Sequence, residues 1–237
     1  MAVFTCAEIV EGCRRGDDAA WGHFTARYLP LAGAVLDRHF PEHAARRDEL
    51  LREALAQARD DNARFFRDYQ GHSEREFLLH WREQALRVGE AAAPAPAPPQ
   101  IPLEWETFQK AIADFTALER QMIWMTLLSP LAGDADKVLR VDPKTVASVL
   151  GRAQEALRGA SDHWNPQMLV ENRHRLIDAA RAAATEDCPL PRQFLRLLDG
   201  QITWRDRQGI ERHLTRCWRC VDVLCRFREV VYLPTRR

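Results

Sequence analysis

The sequence predicts an all-α protein. Apolar residues recur at helical spacing in each apolar segment, no stretch of useful length alternates apolar with polar residues, and no β-hairpin turn joins two apolar runs. With 46% hydrophobic residues among 237, the chain has material for two or three small cores. No apolar run approaches the ~20 residues that span a bilayer, and the first residues lack a basic region followed by an apolar stretch and a cleavage site. The expected setting is therefore the cytoplasm, without membrane association.

Residues 1–90 form the first expected domain. Helical patterns run from Ile9 and Val10 through Trp21, Phe24 and Tyr28, then over Asp48–Leu55, then over Gly71–Gln84. On the second of these, Asp48, Glu49 and Glu53, with Arg52 among them, make a charged stripe that is either solvated or paired with basic groups of a partner. On the third, Phe77 and Trp81 either fill a core or stack on a flipped base, and Glu83 repels phosphate.

A tether is expected over residues 91–102, where Pro94, Pro96, Pro98, Pro99 and Pro102 remove backbone donors and favour an extended polyproline conformation. The next domain, residues 103–160, opens with Trp105, Phe108, Ile112 and Phe115 at helical spacing, followed by Leu118, Met122, Ile123 and Met125. A short helix over Asp134–Arg140 precedes Asp142 as N-cap and Pro143 at a first helical position, with Val146, Val149, Leu150, Ala153 and Leu157 on one face. That is a helix-turn-helix pattern, which serves DNA binding in some proteins and plain bundle packing in others.

In residues 161–237, a helix over Pro189–Asp199 with Phe194, Leu195, Leu197 and Leu198 stops at Gly200. Thr203, with Asp206 three positions on, caps a second helix expected to continue through Ile210, His213, Leu214, Cys217, Val221 and Leu224. On one helix, His213, Cys217 and Cys220 at i, i+4 and i+7 share a face, and an imidazole with two thiolates suits tetrahedral zinc. Cys188 is the expected fourth ligand; Cys225 ranks second because it serves only if the helix bends. The competing reading is that these are ordinary core cysteines and histidine. Cysteines at 6, 13, 188, 217, 220 and 225 make no secreted disulfide framework. Four protein ligands would close the metal's sphere, and the chain has no glycine-rich phosphate loop, H-E-x-x-H pair or nucleophile elbow, so no enzymatic activity is expected.

Charge is balanced overall and uneven locally. Residues 1–90 hold 13 basic and 16 acidic side chains, residues 101–160 hold 7 and 8, and residues 161–237 hold 14 and 10. A body without net positive charge argues against strong non-specific DNA binding. A basic tail suits docking on a more acidic body, or simply a solvated arginine-rich helix.

Three stretches carry resemblances. Leu198-Asp199-Gly200-Gln201-Ile202-Thr203, Ile210-Glu211-Arg212-His213 and Cys217-Trp218-Arg219-Cys220 resemble the zinc-containing anti-sigma domain of bacteria over about the last fifty residues. The resemblance implies helices that wrap a sigma factor and mask its polymerase-binding surfaces, with zinc structural in many members and expelled by thiol oxidation in some. Asp142 to Ala153 resembles the recognition helix in region 4 of extracytoplasmic-function sigma factors, through Thr145, Val146, Ser148, Leu150, Arg152 and Ala153. That implies promoter contacts from Lys144, Thr145, Ser148 and Arg152, although Ala147 and Val149 stand where the family usually has cations.

Ile9 to Leu31 resembles the opening of sigma region 2, which implies that Asp48, Glu49, Arg52 and Glu53 face the polymerase and that Gly71–Gln84 corresponds to the promoter-melting helix. Together the resemblances imply a sigma-factor-like regulator of transcription initiation with its anti-sigma domain fused in cis. The implied partners are core RNA polymerase, promoter DNA, and either the chain's own sigma-like domains or another sigma factor. The alternative is a sigma-derived adaptor or inhibitor that works by protein contacts and no longer reads promoters. In a fusion, a short linker raises the tail's effective concentration to the millimolar range.

Overall fold

The computed structural model describes residues 4–94, 99–129 and 134–233, except the side chains of residues 61–63. Every regular element among the described residues is helical, as the apolar periodicity predicts, and no described helix is long and apolar enough to cross a membrane. The chain divides into two compact units, residues 1–95 with 229–237, and residues 96–228.

The first unit begins with α1 (Cys6–Arg14), where Thr5 and Glu8 form a capping box. Gly16 takes the left-handed backbone conformation (φ 76°) that turns the chain, and Asp17 caps α2 (Asp18–His39) by accepting from the Ala19 and Ala20 N–H groups. A 3-10 turn over Pro41–Arg46 leads into α3 (Arg47–Asp68). Ser73 then caps α4 (Glu74–Ala92), its hydroxyl accepting from the Glu76 N–H.

Rings from three helices fill this unit's core. Phe24 meets Trp81 at 5.0 Å and Phe66 at 5.3 Å, and Trp21 meets Phe66 at 5.2 Å, all edge to face. The buried Trp81 indole N–H donates to the Tyr28 carbonyl at 2.9 Å, so its polar end is satisfied. Phe77 and Trp81 are both fully buried here, which answers the choice between core and base stacking in favour of core.

The second unit contains α5 (Trp105–Ala111), α6 (Ala117–Ile123), α7 (Ala135–Leu139), α8 (Pro143–Ala160), α9 (Pro166–Ala182), α10 (Pro191–Leu198), α11 (Trp204–Leu214) and most of α12 (Trp218–Tyr232). Thr116 and Glu119 box the start of α6, which widens into one π turn over Trp124–Leu128, closed by the Ser129 N–H on the Trp124 carbonyl. Arg140, left-handed at φ 56°, ends α7; Asp142 accepts from the Lys144 N–H and Pro143 opens α8. This is the turn the sequence predicts, and Val146, Val149, Ala153 and Leu157 are its buried face.

Residues 103–160 and 161–228 share this unit. Trp218, fully buried on α12, packs against Trp105, Phe108 and Trp124 with centroids 5.5–6.4 Å away, and the Arg120 guanidinium lies 4.8 Å over its ring. Of the tether expected over 91–102, residues 95–98 lie outside the described residues. Its beginning is the end of α4. Near its other end, Asn172 on α9 is fully buried, donates to the Ile101 carbonyl and accepts from the Leu103 N–H, fixing the chain there.

Candidate metal centre

The second unit gathers four donors from three places in the chain. Cys188 sits in a turn before α10, where its N–H donates to the Thr185 carbonyl and its sulfur accepts from the Thr185 N–H at 3.4 Å. Gly200 ends α10 at φ 69°, with the Gln201 N–H closing on the Arg196 carbonyl. Thr203 caps α11 through the Asp206 N–H, and α11 carries His213 in its last turn.

One sequence expectation is corrected here: His213, Cys217 and Cys220 are not on a single helix. The helix stops at Leu214 and restarts at Trp218. The Thr215 hydroxyl takes the Arg212 carbonyl, and the Arg216 and Cys217 N–H groups both donate to the His213 carbonyl, which ends the regular ladder. Cys217 then takes the cap position of α12, its carbonyl accepting the Val221 N–H, and Cys220 falls in the first turn. The break puts both cysteines at the positive end of α12, where thiolates are favoured.

The ligand atoms of Cys188, His213, Cys217 and Cys220 all lie within 4.8 Å of one another. Two sulfurs each ~2.3 Å from a tetrahedral zinc are ~3.8 Å apart. The Cys188 and Cys217 sulfurs are 3.7 Å apart, and His213 Nε2 is 3.2 Å from the Cys220 sulfur. This group can hold a metal ion, and its dimensions suit zinc. Cys217 and Cys220 are buried, whereas Cys188 and His213 are half-buried. Cys225, the second choice from sequence, is buried on α12 and is not one of the four.

Electrostatics show what such a cluster lacks without a cation. Hydrogen bonding from the Cys220 thiol pulls the Cys217 thiol down to about 5 against the opposing effect of burial, with the Cys220 N–H, Cys188 and His213 assisting. The proton held between them pushes Cys220 up, and burial adds to that. Cys217 and Cys220, this close together, do not both ionise on their own. A dication would let them do so.

A further residue bears on the site and was not read from the sequence. Asp187 Oδ2 lies 3.4 Å from His213 Nδ1, on the ring edge away from the sulfurs, and Asp187 is held below the usual carboxylate range chiefly by a Thr185 hydrogen bond. A carboxylate on the outer imidazole nitrogen fixes the tautomer that leaves Nε2 free for a metal. The signal available in sequence was only its place beside Cys188.

The other residues singled out from sequence are not among these four. Lys144, Thr145 and Ser148 are exposed on α8; Arg152 is also exposed but ion-paired with Glu119 and set 5.0 Å from the Phe115 ring. Asp48, Glu49, Arg52 and Glu53 are exposed on α3. Glu49 takes two hydrogen bonds from Arg46, Arg52 donates to the Asp48 carbonyl, and Glu53 accepts from Gln57.

Compared with family models, curated proteins and solved structures, the chain matches none of them.

Proposed function

We propose that the chain is a cytoplasmic, sigma-factor-like regulator of bacterial transcription initiation whose C-terminal segment is organised by zinc. The observation that carries this reading is the Cys188, His213, Cys217, Cys220 group, whose ligand atoms lie within 4.8 Å of one another, built around the same stretches that resemble a zinc anti-sigma domain. Four protein ligands leave no open coordination position, which favours a structural zinc over a catalytic one. Bound there, zinc would supply charge neutralisation for three thiolates and a crosslink between the turn before α10, the end of α11 and the start of α12.

Docking on core RNA polymerase is assigned to the exposed α3 stripe of Asp48, Glu49, Arg52 and Glu53. Its local pairing is of the weak, exposed kind that a partner's cations can replace. The C-terminal segment is the proposed internal regulator of that docking. Residues 229–233 group with the N-terminal helices, which supports an intramolecular role.

A specific observation favours the second reading, an adaptor or inhibitor that does not open promoters. Phe77 and Trp81 on α4 are sealed in the core and unavailable to stack on a base. On that reading Lys144, Thr145 and Ser148 touch DNA weakly or not at all.

The test is capture of purified bacterial core RNA polymerase by the full chain before and after zinc removal, alongside a triple charge reversal of Asp48, Glu49 and Glu53 to Lys. Capture that rises on zinc removal and is lost in the reversed variant supports the regulator. Capture by none of these proteins sinks it. Promoter-dependent transcription with purified components would eliminate the adaptor reading.

A further inference from the structure

The first unit holds a buried ion cluster formed by residues far apart in sequence. Glu229 is 1% exposed; its Oε2 accepts from Arg82 Nε at 2.8 Å and Nη2 at 2.5 Å, and its Oε1 lies 2.7 Å from His39 Nε2. Arg82 is itself 3% exposed and places its remaining Nη1 on Glu83 at 2.7 Å. His39 closes α2 and Arg82 lies midway along α4. Val230 and Leu233 join the apolar core of the same unit, with Tyr232 partly buried against it. Glu229, Val230 and Leu233 stand at i, i+1 and i+4, so one helical face enters the bundle, carboxylate first.

Burying a carboxylate is unfavourable unless its oxygens are fully engaged. Here both are, and the engagement is selective: a guanidinium fork on one oxygen and an imidazole on the other suit a carboxylate and discriminate against an amide or an alkyl group. The aromatic core of Trp21, Phe24, Phe66, Phe77 and Trp81 packs through its own ring contacts. Arg82 and His39 therefore read as a recognition element on a bundle that already has a core.

We propose that the surface between the end of α2 and the middle of α4 is a helix-docking groove that reads a carboxylate, with Arg82 and His39 as its floor and Glu229–Leu233 as its resident ligand. The external partner it fits is an amphipathic protein helix bearing Glu, with apolar residues one and four positions further on. Such a helix competes with the resident segment for Arg82 and His39.

The experiment opens the groove from within. Full-length chain carrying Glu229→Lys sets an ammonium against the Arg82 guanidinium and the His39 imidazole, leaves Arg82 without its carboxylate, and expels the segment. A fluorescein-labelled peptide of residues 218–233, with Cys220 and Cys225 replaced by Ala, is titrated into it by anisotropy. At least tenfold tighter binding to the E229K chain than to the native chain is expected, together with at least tenfold weaker binding of the same peptide bearing Gln for Glu229. Adding Arg82→Met to the E229K chain should erase the preference for Glu over Gln. Equal binding of the Glu and Gln peptides, or equal binding to native and E229K chains, overturns the proposal. If E229K does not fold by circular dichroism, Glu229→Gln in the full chain is measured in the same way and judged by the same two comparisons.

Discussion

His213 faces two ways: its Nε2 lies 3.2 Å from the Cys220 sulfur, and its Nδ1 lies 3.4 Å from the carboxylate of Asp187, the residue before Cys188. The donor turn and the helix that carries the imidazole are thus linked twice, through the donor cluster and through this outer contact. Outer partners of this kind change metal affinity ~10–100-fold. Asp187→Asn is expected to lower zinc affinity about tenfold, the low end because Asp187 is exposed, while leaving one zinc per chain. Competition with a chromophoric chelator measures the affinity, and elemental analysis the stoichiometry.

Cys188 is the only one of the four donors that lies before α10. Cys188→Ser should therefore leave His213, Cys217 and Cys220 near their places, yet lose most bound zinc, because three ligands without a closed sphere hold the metal poorly. Amide exchange should rise over residues 185–190 and the turn at 215–217, where few backbone bonds oppose opening, with little change across α1–α3. Retention of a full equivalent of zinc by the Ser variant would remove Cys188 from the ligand set.

The donors of this site were legible in sequence and their architecture was not. The residue types and spacing of Cys188, His213, Cys217 and Cys220 singled them out. The same spacing suggested an unbroken helix, because i, i+4 and i+7 coincide with helical periodicity. What breaks that helix is local competition, the Thr215 hydroxyl and the doubly used His213 carbonyl, and such competition leaves no mark on an apolar pattern. The α7–α8 turn was legible because Asp142 and Pro143 are strong local signals. Glu229 was missed although it carried one: it continues the line Val221, Cys225 at i+4 spacing, so a carboxylate sat on an apolar stripe. Its partners, His39 and Arg82, are 190 and 147 positions away, beyond what periodicity can connect.

The contact of α1 with α2 depends on a missing side chain. A Cβ on Gly12 would stand 2.4 Å from the Cβ of Ala20, which is fully buried and has no flexible end to withdraw. Gly12→Ala gains helix propensity of about 1 kcal/mol in principle, but forcing the two helices apart is expected to dominate, with a net loss of ~1–3 kcal/mol. Denaturant unfolding of the native and variant chains followed by far-UV circular dichroism, with amide exchange of α1 and α2 as the local readout, would measure it. A stabilised variant would mean that α1 shifts freely on α2.

Glu229 ties stability to pH in a definite direction. Burial raises its proton affinity, but the charge of Arg82 and the hydrogen bonds from His39 and Arg82 outweigh it and hold the carboxyl at about 2. An unfolded glutamate titrates near ~4.3, so the folded value is depressed. The stabilisation is therefore complete above the unfolded value and is lost as pH falls from there toward about 2, where the folded group also protonates. A gap of roughly two pH units corresponds to about 3 kcal/mol. Other carboxylates also respond to acid, so the informative quantity is the difference between native chain and Glu229→Gln. The native chain should be the more stable at pH 6, and the gap in unfolding free energy should narrow progressively below pH 4. A gap that stays constant from pH 6 to pH 3 would show that Glu229 is not held ionised by Arg82 and His39.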